Sequence, residues 1–196
     1  MLSDFVRFVQ SLFPGIDPYV AERCLEAVKQ HRTRPEDLIS PPIGAELCQG
    51  DILDGIELMV PIRPEGHGRF RGLSMLVSNS CDIDNKPFML IAPCFELSHF
   101  ASEPRLADIS RNTVTNLFCL THIPGDRSIV SDLSLIDAVS VDNVKDRLSS
   151  GAARRVCSLS EVGWYLLISK LTVHLMRPET REVERAASGG SPPRNR

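Results

Sequence analysis

No run of about 18 uncharged apolar residues occurs in this 196-residue chain, so the sequence predicts no membrane-spanning helix. Its most apolar stretch, residues 162–176, is too short and carries Lys170 and His174; it reads as a buried helix. A basic field is missing as well. With 22 Lys and Arg against 25 Asp and Glu, the net charge is −3, which excludes a globally cationic nucleic-acid binder and leaves only local patches. The six cysteines, at 24, 48, 81, 94, 119 and 157, form no CxxC and no short paired spacing, which argues against a zinc site or a disulfide framework. Cys94 and Cys119 have apolar neighbours, so reduced, buried thiols in a cytoplasmic protein are expected. The first residues lack the basic start, apolar run and cleavage site of a signal peptide. No internal repeat is visible.

The chain is organised around residues 72–95. Two apolar runs, 73–77 and 88–92, flank a polar stretch, 78–86, and predict a hairpin of mostly buried strands with Asp84 and Asn85 supplying the turn. Ahead of it Ile56, Leu58, Val60 and Ile62 lie two apart, as on a strand with one apolar face. A loop at 64–68 joins this strand to the next, making a meander of at least three strands. The inner two are apolar on both faces, so something must cover the second face. Further strands are predicted at 116–122, 128–133 and 135–141, with a turn at Pro124-Gly125-Asp126 and a short helix after Pro104. Ser158, with Glu161 three residues on, has the spacing of a capping box. The helix it opens buries Val162, Leu166, Leu167, Ile168, Leu171 and Leu175 and stops at Arg177-Pro178.

At the start of the chain, Phe5, Phe8, Val9 and Leu12 share one helical face, and Val20, Cys24, Ala27 and Val28 form a second stripe that runs to about His31. The end is polar and rich in Gly, Ser and Pro, as in a disordered tail. The expected class is α+β: a small, bent antiparallel β-barrel over 46–177 that includes a long C-terminal helix, a helical N-terminal extension over 1–45, and a tail over 178–196.

Cys81 and Asp82, in a polar corner between apolar strands, are the most conspicuous chemical pair. A thiol there could serve as a nucleophile if His67 or His99 approached it. The structural alternative has Ser78, Ser80 and Asp82 capping backbone amides while Cys81 fills a small space. Asp82 and Asp84 lack the third oxygen ligand, the Gly and the distal Glu of a calcium loop, so no metal is assigned, nor any cofactor. Arg69 and Arg71 bracket Phe70, which puts both guanidinium groups on one strand face, where they could hold phosphate; a solvated strand end is the plainer alternative. Gly50-Asp51 reads as a turn, and His174 with Arg177 as helix-end cations.

The order Gln49-Gly50-Asp51-Ile52, then Arg71-Gly72-Leu73-Ser74-Met75-Leu76-Val77-Ser78, then Met89-Leu90-Ile91-Ala92-Pro93 resembles the MazF/PemK toxin family. The resemblance covers residues 49 to 95. It implies a bent antiparallel barrel with a C-terminal helix and a homodimeric, metal-independent endoribonuclease acting on single-stranded RNA. An arginine before the second strand, here Arg69 or Arg71, would stabilise the phosphorane. The candidate catalytic set is then Arg69, Arg71, Ser78, Cys81 and Asp82. The family's Arg-Pro is Arg71-Gly72 here, and Cys94 stands where a Ser or Thr would follow Pro93. The partners implied are RNA and an antitoxin or other defence-complex protein of a bacterial toxin–antitoxin or phage-defence system. The competing readings are a non-catalytic protein-interaction module and a cysteine-dependent enzyme centred on Cys81.

Overall fold

The computed structural model describes residues 38–61 and 66–176. The predicted N-terminal helices, residues 64 and 65 of the predicted loop and the predicted tail lie outside the described residues, while residues 67 and 68 of that loop already belong to a strand.

Among the described residues seven antiparallel strands follow one path: β1 (Ile39–Ser40), β8 (Arg154–Leu159), β2 (Ile52–Pro61), β3 (His67–Leu76), β4 (Phe88–Glu96), β6 (Arg127–Asp132) and β5 (Leu117–Ile123), and an eighth, β7 (Asp137–Ser140), pairs with β4 off that path. The path curls into a nearly closed small barrel, and four α-helices decorate it: α1 (Ser80–Asn85), α2 (Leu106–Ser110), α3 (Val141–Ser149) and the long α4 (Glu161–Met176). The predicted α+β barrel with a long C-terminal helix is therefore what the chain forms.

The central hairpin is antiparallel, with Ser74 opposite Pro93, Met75 opposite Ala92 and Leu76 opposite Ile91. Its double-sided apolarity has a direct structural consequence. Leu73, Met75, Val77, Ala92 and Cys94 enter one core with Phe118, Leu120 and α4's Leu166 and Leu167. Leu76, Met89 and Ile91 enter a second, with Ile56, Leu58 and α3's Val144. A strand with period 2 serves both cores because each is covered by its own helix.

Four local expectations are corrected. The stretch 78–86 is not a turn but holds α1, whose N-cap Asn79 accepts a hydrogen bond from the Cys81 amide through its side chain. Six residues are too few for helical periodicity to show. α4 is capped not from Ser158 but from Ser160, whose Oγ accepts the Gly163 amide at 3.1 Å; Ser158 still belongs to β8, paired with Ser40. Leu175 is not buried but 76 % exposed. Residue 141 does not end a strand: Ser140 caps α3 there through the Asn143 amide. Both α3 and β8 were unforeseen.

Candidate functional site

From Ile56 and Gly72 outward, β2 and β3 pair only with each other, because β3 meets β4 only at residues 74–76 and β2 meets β8 only at 52–54. The result is a two-stranded ribbon. One face is anchored: Phe70 packs against Phe95 with ring centroids 5.1 Å apart. Gly72 makes this packing fit, since a Cβ there would lie 2.9 Å from the Phe70 ring tip. That is a physical reason for Arg71-Gly72 where the toxin pattern has Arg-Pro.

The other face carries Arg69 and Arg71, both exposed, opposite Met59 and Glu57 respectively. His67 stands opposite Pro61 on the same face. Neither arginine has a hydrogen bond or ion pair among the described residues. Glu57 is instead shared with Arg147 of α3, at 3.9 Å, while Arg147 also donates twice to the Gly55 carbonyl. Between the ribbon and α3 lies a groove of 370 Å³ lined by Leu58, Met59, Arg69, Val139, Asn143 and Arg147.

The remaining sequence candidates sit elsewhere. Ser78 is buried, and its Oγ accepts the Leu90 amide at 2.8 Å. Asp82 pairs with Lys86 at 3.0 Å, one helical turn on. Cys81 is exposed on α1, and its backbone carbonyl accepts a hydrogen bond from Asn85 Nδ2 at 2.7 Å. Arg71 and Leu76 are five residues apart on one strand, about 17 Å at the usual rise of about 3.4 Å. The arginines and the Ser78–Asp82 corner thus occupy opposite ends of β3, and one chain does not bring them into a common site. His67 lies at the arginine end, and His99 follows the far end of β4, so neither histidine approaches Cys81. Among the described residues no three His, Cys, Asp or Glu side chains converge as metal ligands, and no helix is long and apolar enough to cross a membrane.

The corner where Gly50-Asp51 was expected to make a simple turn holds a buried polar hub instead. Asp51 is fully buried; its carboxylate accepts the Cys48 amide at 2.8 Å, Arg155 Nη1 at 3.2 Å and Ser158 Oγ at 2.5 Å. Arg155 also donates to the carbonyls of Ile43, Gly44 and Glu46, so the loop before β2 is tied to β8 by one guanidinium. Gly50, at φ +92°, turns the chain into this hub, and a side chain there would collide with Leu159 at 2.7 Å. Next to it, Gln49 donates to the Val77 carbonyl at 2.6 Å and accepts from Trp164 Nε1 at 2.8 Å, joining the barrel to α4. The Asp51 carboxylate and both Nη groups of Arg155 are engaged in holding the fold, which marks the hub as structural.

Burial also sets four titrations. Desolvation pushes the thiols of Cys94 up to about 12 and of Cys119 and Cys157 up to about 11, so all three are inert at neutral pH. It pushes Lys170 down to about 8, although its Nζ donates to the Val114 and Leu117 carbonyls at 2.7 and 2.8 Å.

No family model and no curated protein matches this chain. The geometry of the ribbon therefore carries the functional argument.

Proposed function

We propose that this chain binds single-stranded RNA along the exposed face of the β2–β3 ribbon, as a toxin-like barrel of a bacterial toxin–antitoxin or phage-defence system. The observation that carries it is a pair of guanidinium groups without a partner among the described residues, Arg69 and Arg71, projecting from one strand face at i and i+2, about 7 Å apart. On a chain of net charge −3, two exposed cations side by side on an anchored ribbon are a local anion-binding surface. Met59 beside Arg69 offers an apolar surface on which a base can rest. The resemblance at 49–95 names the polymer. Binding rather than cleavage is the activity this chain supports by itself, because Ser78, Cys81 and Asp82 lie a strand length away from the arginines.

The full-length protein should bind a fluorescent single-stranded RNA oligomer at low salt and leave it intact on a denaturing gel. Arg69→Ala/Arg71→Ala should weaken binding at least tenfold and flatten the plot of log affinity against log salt by about 1.4, at about 0.7 per lost phosphate contact. An unchanged slope in the double variant, with wild-type near-UV dichroism, would sink the proposal.

A second reading rests on a different observation. Phe88 and Leu90 on β4 are 60 % and 43 % exposed and point to the same side of the strand, an apolar strip of the kind a partner protein covers. RNA binding that does not depend on the arginines, or none at all, would favour it.

A further inference from the structure

The groove between the ribbon and α3 is the consequence of one glycine. β2 pairs with β8 only as far as Asp54. At Gly55 the register shifts and φ is +88°, and a Cβ there would stand 2.6 Å from the Ala152 carbonyl, so glycine lets the strand turn away at this point. Beyond it, β2 has β3 on one side and, among the described residues, no paired strand on the other. Four consecutive residues, Ile56 to Met59, line the groove. Successive side chains of a strand point to opposite faces, so neighbours in sequence share a groove only along the strand's edge. There every second residue offers its N–H and C=O outward. Arg147 donates twice to the Gly55 carbonyl and fixes the inner end of this edge.

The facing wall is α3 with the end of β7. Val144 is buried there and Val139 half-buried, which makes the wall apolar. Asn143 lines it too, and its carboxamide has no hydrogen-bond partner among the described residues; its backbone amide donates to Ser140 Oγ at 3.3 Å. Arg69, exposed, borders the same groove. At 370 Å³ the space stands at the small end of the range of about 300–1,000 Å³ for small-molecule pockets, room for one nucleotide.

We propose that this groove holds one adenine nucleotide, its base between α3 and the β2 edge and its phosphate on Arg69; the inference rests on the reading of Arg69 as a phosphate-binding residue. The choice of base follows from donors and acceptors. Asn143 presents an acceptor, Oδ1, beside a donor, Nδ2, and the strand edge presents a C=O beside an N–H. Among the four bases adenine alone answers that pattern on both of its hydrogen-bonding edges, with N6–H beside N7 and N6–H beside N1. Guanine shows two acceptors, O6 and N7, on one of them, and a pyrimidine has a single such edge. Leu58, Met59 and Val139 give the ring apolar surface, and the Arg69 guanidinium gives the phosphate a charge-assisted hydrogen bond.

The test titrates the full chain with AMP, GMP, CMP and UMP by calorimetry, and with short single-stranded homopolymers of the same four bases by fluorescence competition. Adenine should bind at least about tenfold more tightly than the other bases, and Asn143→Ala should erase the preference while near-UV dichroism stays that of the wild type. Asn143→Asp, which keeps the shape and removes the donor, should do the same and replaces the alanine variant if that one misfolds. A preference seen with AMP assigns the site to a free nucleotide, and one confined to the homopolymers assigns it to a base of RNA; either sustains the subsite. Where AMP binds, Arg69→Ala should weaken it at least about tenfold and leave adenosine within about twofold. Equal affinity for the four bases, a preference that survives both Asn143 variants, or AMP binding indifferent to Arg69→Ala overturns the proposal. RNA binding whose salt dependence is carried by Arg69 and Arg71 would stand in the first two cases, so the ribbon reading and the subsite fail separately.

Discussion

Asp51→Ala should cost about 3–5 kcal/mol of stability, the range seen when one partner of a buried ion pair is removed. The reason is what the carboxylate leaves behind. Arg155, only 15 % exposed at its side chain, would keep its charge with the nearest counter-ion gone. Ser158 Oγ and the Cys48 amide would lose their acceptor in the same buried space. For a domain of this size the loss corresponds to a fall in Tm of roughly 10–15 °C. Urea unfolding of Asp51→Ala, Arg155→Met and the double variant would measure it. The pair should be less destabilising than the sum of the singles, because each single strands the other's partner. A cost below about 1 kcal/mol for Asp51→Ala would show that the hub does not hold the loop before β2 onto β8, and its structural assignment would fail.

This hub was the part of the molecule least legible in the sequence. Asp51 precedes an apolar strand beside a glycine, the ordinary composition of a turn, and its partners Arg155 and Ser158 lie 104 and 107 residues away. No local pattern announces a buried acid whose guanidinium and hydroxyl partners both lie more than a hundred residues away, with only the Cys48 amide close in sequence. β8 was hidden by the same geometry, since it opens with two arginines that bind Asp54 and Asp51 instead of alternating with apolar residues. α3 offers only Val141, Val144 and Leu148 to a core, too thin a stripe to set it apart from the strand before it.

Patterns that depend on burial alone came through. The double-sided runs at 73–77 and 88–92 had to lie between two covered faces, and they do. Arg69 and Arg71 were legible as a pair because period 2 puts them on one face. Their separation from Ser78, Cys81 and Asp82 follows from strand length once β3 is known to run unbroken to Leu76. The helix at 80–85 removed the flexible turn that could have folded the corner back.

Stability should be nearly level between pH 7 and 9 and then fall by about 4 kcal/mol by pH 11, at about 1.4 kcal/mol per unit of pKa difference. The sign follows from which state binds more protons. Cys94, Cys119 and Cys157 titrate from 9.0 in the unfolded chain but near 12, 11 and 11 when folded, so above pH 9 the native state holds protons that the unfolded chain has released. Raising the pH then favours unfolding, and the three thiols together remove about 7 kcal/mol by pH 11. Lys170 works in the opposite direction. Its ammonium group is pushed from 10.5 down to about 8 by burial, so between those values the unfolded chain binds more protons and stability rises with pH. That gain, about 3 kcal/mol, offsets the thiols up to pH 9 and falls behind them afterwards. Urea titrations in reductant at pH 7, 9 and 11 would trace the curve. Cys94→Ala should flatten its alkaline limb by about 2–3 kcal/mol at pH 11, and Lys170→Met should move the onset of the decline below pH 9. Equal stability at pH 8 and pH 11 would mean that the thiols are not held dry between the strands, and the two-sided core that defines this barrel would have to be redrawn.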